Sequence, residues 1–195
     1  MILLYTGAIN YNQPSTPDRS HGGNVSSTQV LNGQLSNLFS LITKTQVLNN
    51  QKEVKLIVLK NTTSTPVTGL KFWTEIATGL SKFKLKLGLV SPSFDSTCNK
   101  YYFEQLLNSF NLPFQANFTE HEGISNQMLI GLTLQPNQMI GIWILREFTE
   151  SFIDSFTTQQ VEEICSDESI LALQTQLESN NIPSNFNFNL KVEWD

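Results

Sequence analysis

The 195-residue chain is predicted to be mainly β, a single antiparallel β-sandwich domain over 1–195. Three observations predict it. Apolar residues recur with period two in one stretch after another, which is the spacing of strands. Polar, turn-forming residues separate these stretches at hairpin-like intervals, with no alternation of strand and long helix of the kind that builds a parallel sheet. The helical stretches are few and short, with apolar stripes suited to lying on a sheet. An extended N-terminal arm (10–30) and an acidic helical insertion (149–182) before the last strand complete the prediction.

Residues 10–30, opening "NYNQPSTPDRSHGGNVSSTQ", carry no apolar period and are too long for an ordinary connection in a compact domain. They are expected to extend over the surface or over a neighbour. Leu31, Leu35, Leu38, Phe39 and Ile42 then form one helical stripe; Gly33 would weaken a helix interior, so the helix is expected to start near it, with Asn32 as N-cap. "KEVKLIVLKN" (52–61) is apolar on both faces, as an internal strand is, and "VTGLKFWTEI" (67–76) follows across "TTSTP" as its predicted hairpin partner. In "SKFKLKLGLV" (81–90), Phe83, Leu85, Leu87 and Leu89 face one way and Lys82, Lys84 and Lys86 the other.

Phe103, Leu106, Leu107 and Phe110 predict a second packing helix, stopped by "NLP" (111–113). "QMLIGLTL" (127–134) and "QMIGIWILREF" (138–148) are strands flanking "QPNQ", where Pro136 and Asn137 suit a tight turn. Residues 157–178 read as acidic helices capped by Thr157 and Ser166. The final strand, "FNFNLKVEWD" (186–195), alternates as a half-buried strand. Trp143 and Trp194 are expected in the core, whereas Trp73, alternating with core-facing Phe72, is expected outside.

Charged residues make up only 15% of the chain, so neutral Asn, Ser, Thr and Gln dominate the surface, as suits either a protein largely covered by partners or a poorly solvated one. The net charge of −5 divides unevenly: residues 1–100 sum to +6 and residues 101–195 to −11. Either opposite halves meet between copies, or the fold interleaves them so that they cancel. Cys98 and Cys165 form no disulfide framework and are expected to remain reduced thiols. "MILLYT" lacks the basic start of a signal peptide, and no apolar run approaches the length of a membrane span, so a soluble protein made in the cytoplasm is expected.

No motif here assembles a catalytic or metal site. His-Gly-Gly (21–23) resembles the oxyanion loop of esterases, but no G-x-S-x-G elbow accompanies it, and a hydrogen-bonding loop is the simpler expectation. "HEGIS" (121–125) has Ser125 where a zincin needs its second histidine, and His21 and His121 are the only histidines. Neither a P-loop nor G-x-G-x-x-G occurs, so no cofactor is expected. The lysine ladder Lys82/Lys84/Lys86 lacks the interleaved aromatics of a nucleic-acid platform; it protects an exposed strand from aggregation or meets an acidic neighbour.

Several stretches taken in order carry a resemblance. "HGGNVSSTQVLNGQLSNLF" (21–39), "LIVLKNTTSTPVTGLKFWTE" (56–75), "NKYYFEQLLNSFNLPFQANF" (99–118), "LTLQPNQMIGIWILREF" (132–148) and "LKVEWD" (190–195) together resemble virion proteins of tailed bacteriophages, in particular the neck and ring proteins of crAss-like phages. The resemblance spans most of the chain apart from the acidic insertion. It implies an Ig-like β-sandwich subunit of a twelvefold ring in the neck or tail connector, with the portal and other ring proteins as partners and no catalytic residues. It places the protein in the virion, after synthesis in the host bacterial cytoplasm. It implies no membrane and no sequence-specific nucleic acid, while leaving room for DNA to pass through the lumen.

On this basis the expected oligomer interface comprises Asp18, Arg19, His21, Gly22, Gly23 and Asn24 of the arm with Lys82, Lys84 and Lys86. The arm would pair with a strand edge of the next copy, the lysines would face a neighbour's insertion, and deleting residues 10–27 would leave a folded subunit unable to assemble. The alternative is a glycan-binding sandwich, for capsid decoration or receptor binding, with Trp73 as its stacking platform. A small hydrolase is the third class, and it lacks a convergent nucleophile and base.

Overall fold

A computed structural model of the chain describes residues 1–30, 38–39, 44–76, 83–114, 116–154 and 188–195. Eleven strands lie among these: β1 (Ile2–Ala8), β2 (Gly23–Gln29), β3 (Glu53–Lys60), β4 (Leu70–Ile76), β5 (Phe83–Val90), β6 (Ser93–Asp95), β7 (Lys100–Phe103), β8 (Thr119–Glu120), β9 (Met128–Ile130), β10 (Met139–Phe148) and β11 (Phe188–Glu193). They form two sheets, one of eight strands in the order β6-β7-β2-β1-β3-β10-β5-β8 and one of three in the order β11-β4-β9. Every strand pairing within them is antiparallel, as the sequence predicts.

The centre of the large sheet is the β3–β10 ladder, in register from Met139 opposite Lys60 to Arg146 opposite Glu53. Both strands are apolar at consecutive positions because both of their faces are covered. Ile57, Leu59, Ile140, Ile142 and Ile144, with Phe83 and Leu87 of β5 beside them, point toward the small sheet and pack in one core with its Phe72 and Phe188. Leu56, Val58, Trp143 and Leu145 point the other way and pack with Leu4, Val25, Phe103 and Leu106. The inner face is thus closed by a sheet. The outer face is covered in part by irregular chain that includes Leu106, Ala116 and Phe118.

The expected strands over 52–61, 81–90 and 138–148 are present, and Phe83, Leu85 and Leu87 are buried on one face while Lys84 is exposed. The pairing of neighbours differs from expectation. Residues 52–61 and 67–76 do not form a hairpin, since β3 belongs to the large sheet and β4 to the small one. Asn61 is the reason. Its buried amide donates to the carbonyls of Thr65 (2.9 Å) and Leu134 (2.8 Å), while its oxygen accepts from the backbone N–H (2.9 Å) and hydroxyl (2.7 Å) of Thr63. That arrangement turns the chain from one layer to the other. The Pro136–Asn137 turn exists as expected, closed by Gln138 N–H on Gln135 O, but it too leads from the small sheet into the large one.

Three further expectations change. The segment 10–30 is not a free arm: its second half is β2, paired with β1 and β7 inside the large sheet. Residues 103–110 form no helix. Phe103 ends β7, and Asn108 accepts the Phe110 N–H through its side chain (2.9 Å), a local turn that competes with helical hydrogen bonding. Trp194 is 47% exposed, so it lies outside the core. Helix α1 (Lys44–Leu48) and a short helix over 150–154 are present, whereas the helix start at Asn32–Gly33 and the helices of 157–178 lie outside the described residues.

Trp143, predicted to be buried, is fully enclosed, and its indole N–H finds no acceptor among the described residues. Trp143→Ala should therefore cost about 3–5 kcal/mol. Trp143→Phe keeps most of the packing and removes a buried donor that would otherwise stay unsatisfied, so it should remain within about 2 kcal/mol of the parent. Urea denaturation of both variants checks the ordering.

Candidate functional site

Asp18–Asn24 crosses the end of the β1–β3 pairing. β1 pairs with β3 from Ile2–Lys60 as far as Tyr5–Ile57. Beyond that point Ser20 stands between the two strands. Its backbone carbonyl accepts from Leu56 N–H (2.7 Å), its hydroxyl donates to Leu56 O (2.6 Å), and the same hydroxyl accepts from Thr6 N–H (2.9 Å). One residue thus satisfies groups that a continued ladder would have paired with each other. The proton of the Ser20 hydroxyl is held by a backbone carbonyl, which is a structural use of the group.

The two glycines that follow carry the chain over the loop after β7. Gly22 has φ +101 and Gly23 has φ +76, both in the region that glycine tolerates best. A Cβ on Gly22 would lie 1.7 Å from the carbonyl oxygen of Glu104. The close approach is fixed by Leu106 N–H donating to His21 O (3.0 Å) and Gly22 N–H donating to Thr6 Oγ1 (3.1 Å). Asn24 ties the far end through its amide, which donates to Ala8 O and Ile9 O. The glycine pair therefore serves tight turns, and the expected hydrogen-bonding loop is bound to its own domain.

Under this loop lies a feature that the sequence reading missed. Glu53, Lys55 and Arg146 are all buried on the inner face, at 2%, 2% and 4% exposure, where charge is rare without partners. Arg146 donates to the Glu53 carboxylate, Lys55 Nζ lies 3.7 Å from Glu53, and Lys55 also donates to the backbone carbonyl of Asp18 (2.7 Å). The Arg146 guanidinium stacks over Phe39, 4.8 Å from the ring centroid. Burial pushes both the Lys55 and Arg146 cations below their ordinary ranges, and Glu53 pulls each back. Burial and the Lys55 cation likewise hold His21 below the usual imidazole range. The visible signal was a lysine and an arginine inside runs that are otherwise apolar, "KLIVL" and "IWILR".

The lysine ladder has partners within the chain. Lys86 Nζ is 2.6 Å and Lys52 Nζ 2.7 Å from the two carboxylate oxygens of Glu147, and Lys84 reaches Glu120 at 3.4 Å. Lys82 lies outside the described residues. For these lysines, interleaving of the basic and acidic halves explains the charge division. His121 hydrogen-bonds Thr119 and the carbonyl of Asn126, and no cluster of metal-binding side chains occurs among the described residues. Cys98 is exposed. Trp73, expected on the surface, is buried with its indole N–H on Glu75 (3.2 Å), so it offers no open face to a sugar.

The exposed apolar groups lie elsewhere. Leu107 and Phe114 are 93% and 92% exposed, with Phe110 and Leu112 between them, on the stretch expected to be a packing helix and its stop. Both ends of this loop are anchored. Leu106 and Pro113 are buried, Val54 N–H donates to Ser109 O (2.6 Å), and Phe114 N–H donates to the Glu104 carboxylate (3.0 Å). Of the expected interface residues, Asp18, Arg19 and Lys84 are exposed, His21, Gly23, Asn24 and Lys86 are half-buried, and Gly22 is buried.

Because β2 (Gly23–Gln29) belongs to the sheet, deleting 10–27 removes most of a structural strand, and a folded but assembly-deficient product is not expected. Ser20→Ala leaves Leu56 O and Thr6 N–H short of partners and should cost about 1–3 kcal/mol in chemical denaturation. Glu147 gives a pH-dependent test. Burial opposes its charge, but Lys52 and Lys86 outweigh it and hold the carboxyl below its ordinary value of 4.5. Its stabilisation is fully present above 4.5 and is lost as pH falls through the lowered folded value. Glu147→Gln should cost about 1 kcal/mol at neutral pH and nothing once both states are protonated. Stability measured as a function of pH checks this.

No family model, no curated protein and no solved structure matches the chain.

Proposed function

We propose that this protein is a non-enzymatic structural subunit of a tailed-bacteriophage virion, forming an oligomeric ring in the connector that links portal to tail. The observation that carries the proposal is the anchored loop 107–114, which holds four large apolar side chains in or toward solvent. Exposed apolar clusters of this kind mark protein contact surfaces. A loop fixed at Leu106, Ser109 and Pro113 loses little further freedom on docking, which favours association. The low fraction of charged residues and the ordered motifs from residue 21 to residue 195 support the same function.

A glycan-binding module is the weaker alternative. Trp73 is unavailable to it, but the Phe94–Tyr101 ring pair on the outer hairpin, with centroids 5.0 Å apart, keeps stacking surface exposed. A hydrolase gains no support from the His-Gly-Gly loop, whose backbone and neighbouring serine are committed to the sheet.

Sedimentation velocity at micromolar concentrations, with negative-stain microscopy of the same sample, tests the proposal. Closed rings are the expected result. A strict monomer across the concentration range, with or without glycan binding on an array, would overturn it.

A further inference from the structure

Two apolar features lie on opposite sides of the large sheet. The loop 107–114 belongs to the irregular layer over its outer face, where its neighbours Phe103 and Leu106 pack on Trp143 and Leu145. On the inner side, between β1 and β11, runs an open cleft of about 640 Å³. Among the described residues it is lined chiefly by Met1, Leu3, Val30, Leu190, Val192 and the exposed Trp194. Among the described residues β11 is an edge strand of the small sheet, paired with β4. The cleft therefore combines apolar side chains with the polar Gln29, Asn189 and Lys191 along a strand edge, a combination that invites an incoming segment of protein.

We infer that Leu107–Phe114 of one subunit seats in the β1–β11 cleft of the next copy. This rests on the ring proposed above and names its contact. The occupant follows from three observations. First, the cleft volume falls within the range of sites that enclose a few large side chains, and the loop offers two leucines and two phenylalanines. Second, a two-fold dimer that joined loop to cleft would need both in one self-complementary patch, whereas here they lie on opposite sides of the sheet. A projection on one side and a cleft on the other instead make a heterologous contact, which repeats head to tail and closes into a ring when the rotation permits. Third, residues 104–114 contain no lysine or arginine, so the loop lacks the cations that draw a protein to an anionic membrane.

The area is adequate. Phe114, almost fully exposed, can bury roughly 150–250 Å², and Leu107 with the exposed parts of Phe110 and Leu112 adds to it, so the loop supplies a substantial part of the ~800 Å² per partner typical of a stable interface. The loop already has its shape, held by the Glu104 carboxylate and the Ser109 carbonyl, so its binding surface needs little reorganisation.

Cysteine cross-linking of the full chain tests the contact. In a Cys98→Ser/Cys165→Ser background, Phe114→Cys is combined with Trp194→Cys and, separately, with Lys191→Cys. Because the paired positions lie on opposite sides of one subunit, oxidation should yield a ladder of covalent multimers, and each single-cysteine chain should stay monomeric on a denaturing gel. A covalent dimer from Phe114→Cys alone would show loop meeting loop and overturn the inference. Intact rings with no ladder from either pair would overturn it too while leaving the ring proposal standing. Failure of the parent chain to form rings would remove both. In parallel, Leu107→Ser/Phe114→Ser should raise the concentration for half-assembly at least tenfold with unchanged circular dichroism. Unchanged assembly of that variant, or binding of the parent but not the variant to phosphatidylcholine vesicles in the absence of rings, would count against the contact.

Discussion

A pair of central strands that is apolar on both faces must be covered on both faces, and that requirement governs the rest of this fold. β3 and β10 meet it with unlike materials. Three strands close the inner side, while irregular chain covers much of the outer side around Trp143. A covering made of irregular chain has no ladder to satisfy its backbone, so its polar groups must be met one at a time. This accounts for the density of Ser, Thr, Asn and Gly in the segments that cross the sheet. Ser20, Asn24, Asn61 and Asn108 each bond backbone groups through their side chains.

The buried ions at one end of the β3–β10 ladder belong to the same economy of polar groups. Removing three charges from water is unfavourable unless their partners are well placed. Here Glu53 answers both Arg146 and Lys55, Lys55 also reaches the carbonyl of Asp18, and Phe39 stacks on the guanidinium. An apolar replacement could fill the volume. It would not bind the Asp18 carbonyl, so the ions help to fix where the 18–24 crossing sits against β3. Position, more than net stability, is what such a cluster contributes.

The strands with strong periodicity could be read directly from the residues. Phe83, Leu85 and Leu87 alternate with lysines, and β3 and β10 are too apolar to be anything but internal. Their connections could not be read in the same way, because one buried asparagine decides them: Asn61 bonds Thr65 O nearby and Leu134 O, 73 residues away. β2 was hidden for a different reason. "GNVSSTQ" is held by its neighbours' backbones, and Val25 is its one buried apolar side chain, so it shows no alternation. At 103–110 a genuine helical spacing was present and lost to strand pairing at Phe103 and the side-chain turn at Asn108. The glycine pair of the candidate site was legible as a turn. The intrachain partners of Lys84 and Lys86 were not, since Glu120 and Glu147 are distant in sequence.

The small sheet has a consequence for how the protein is made. β4 obtains its long partner only when β11 arrives, more than a hundred residues later on the ribosome. Until then Ile57, Ile142 and Phe72 face a half-built interior, and the nascent chain carries a sticky surface that a chaperone would recognise. Pairing over such a distance closes a large loop, so docking of β11 should be among the slower folding steps. The same strand forms one wall of the β1–β11 cleft. That wall exists only after translation has passed residue 193, so a stalled or truncated chain would lack a complete cleft to offer its neighbours.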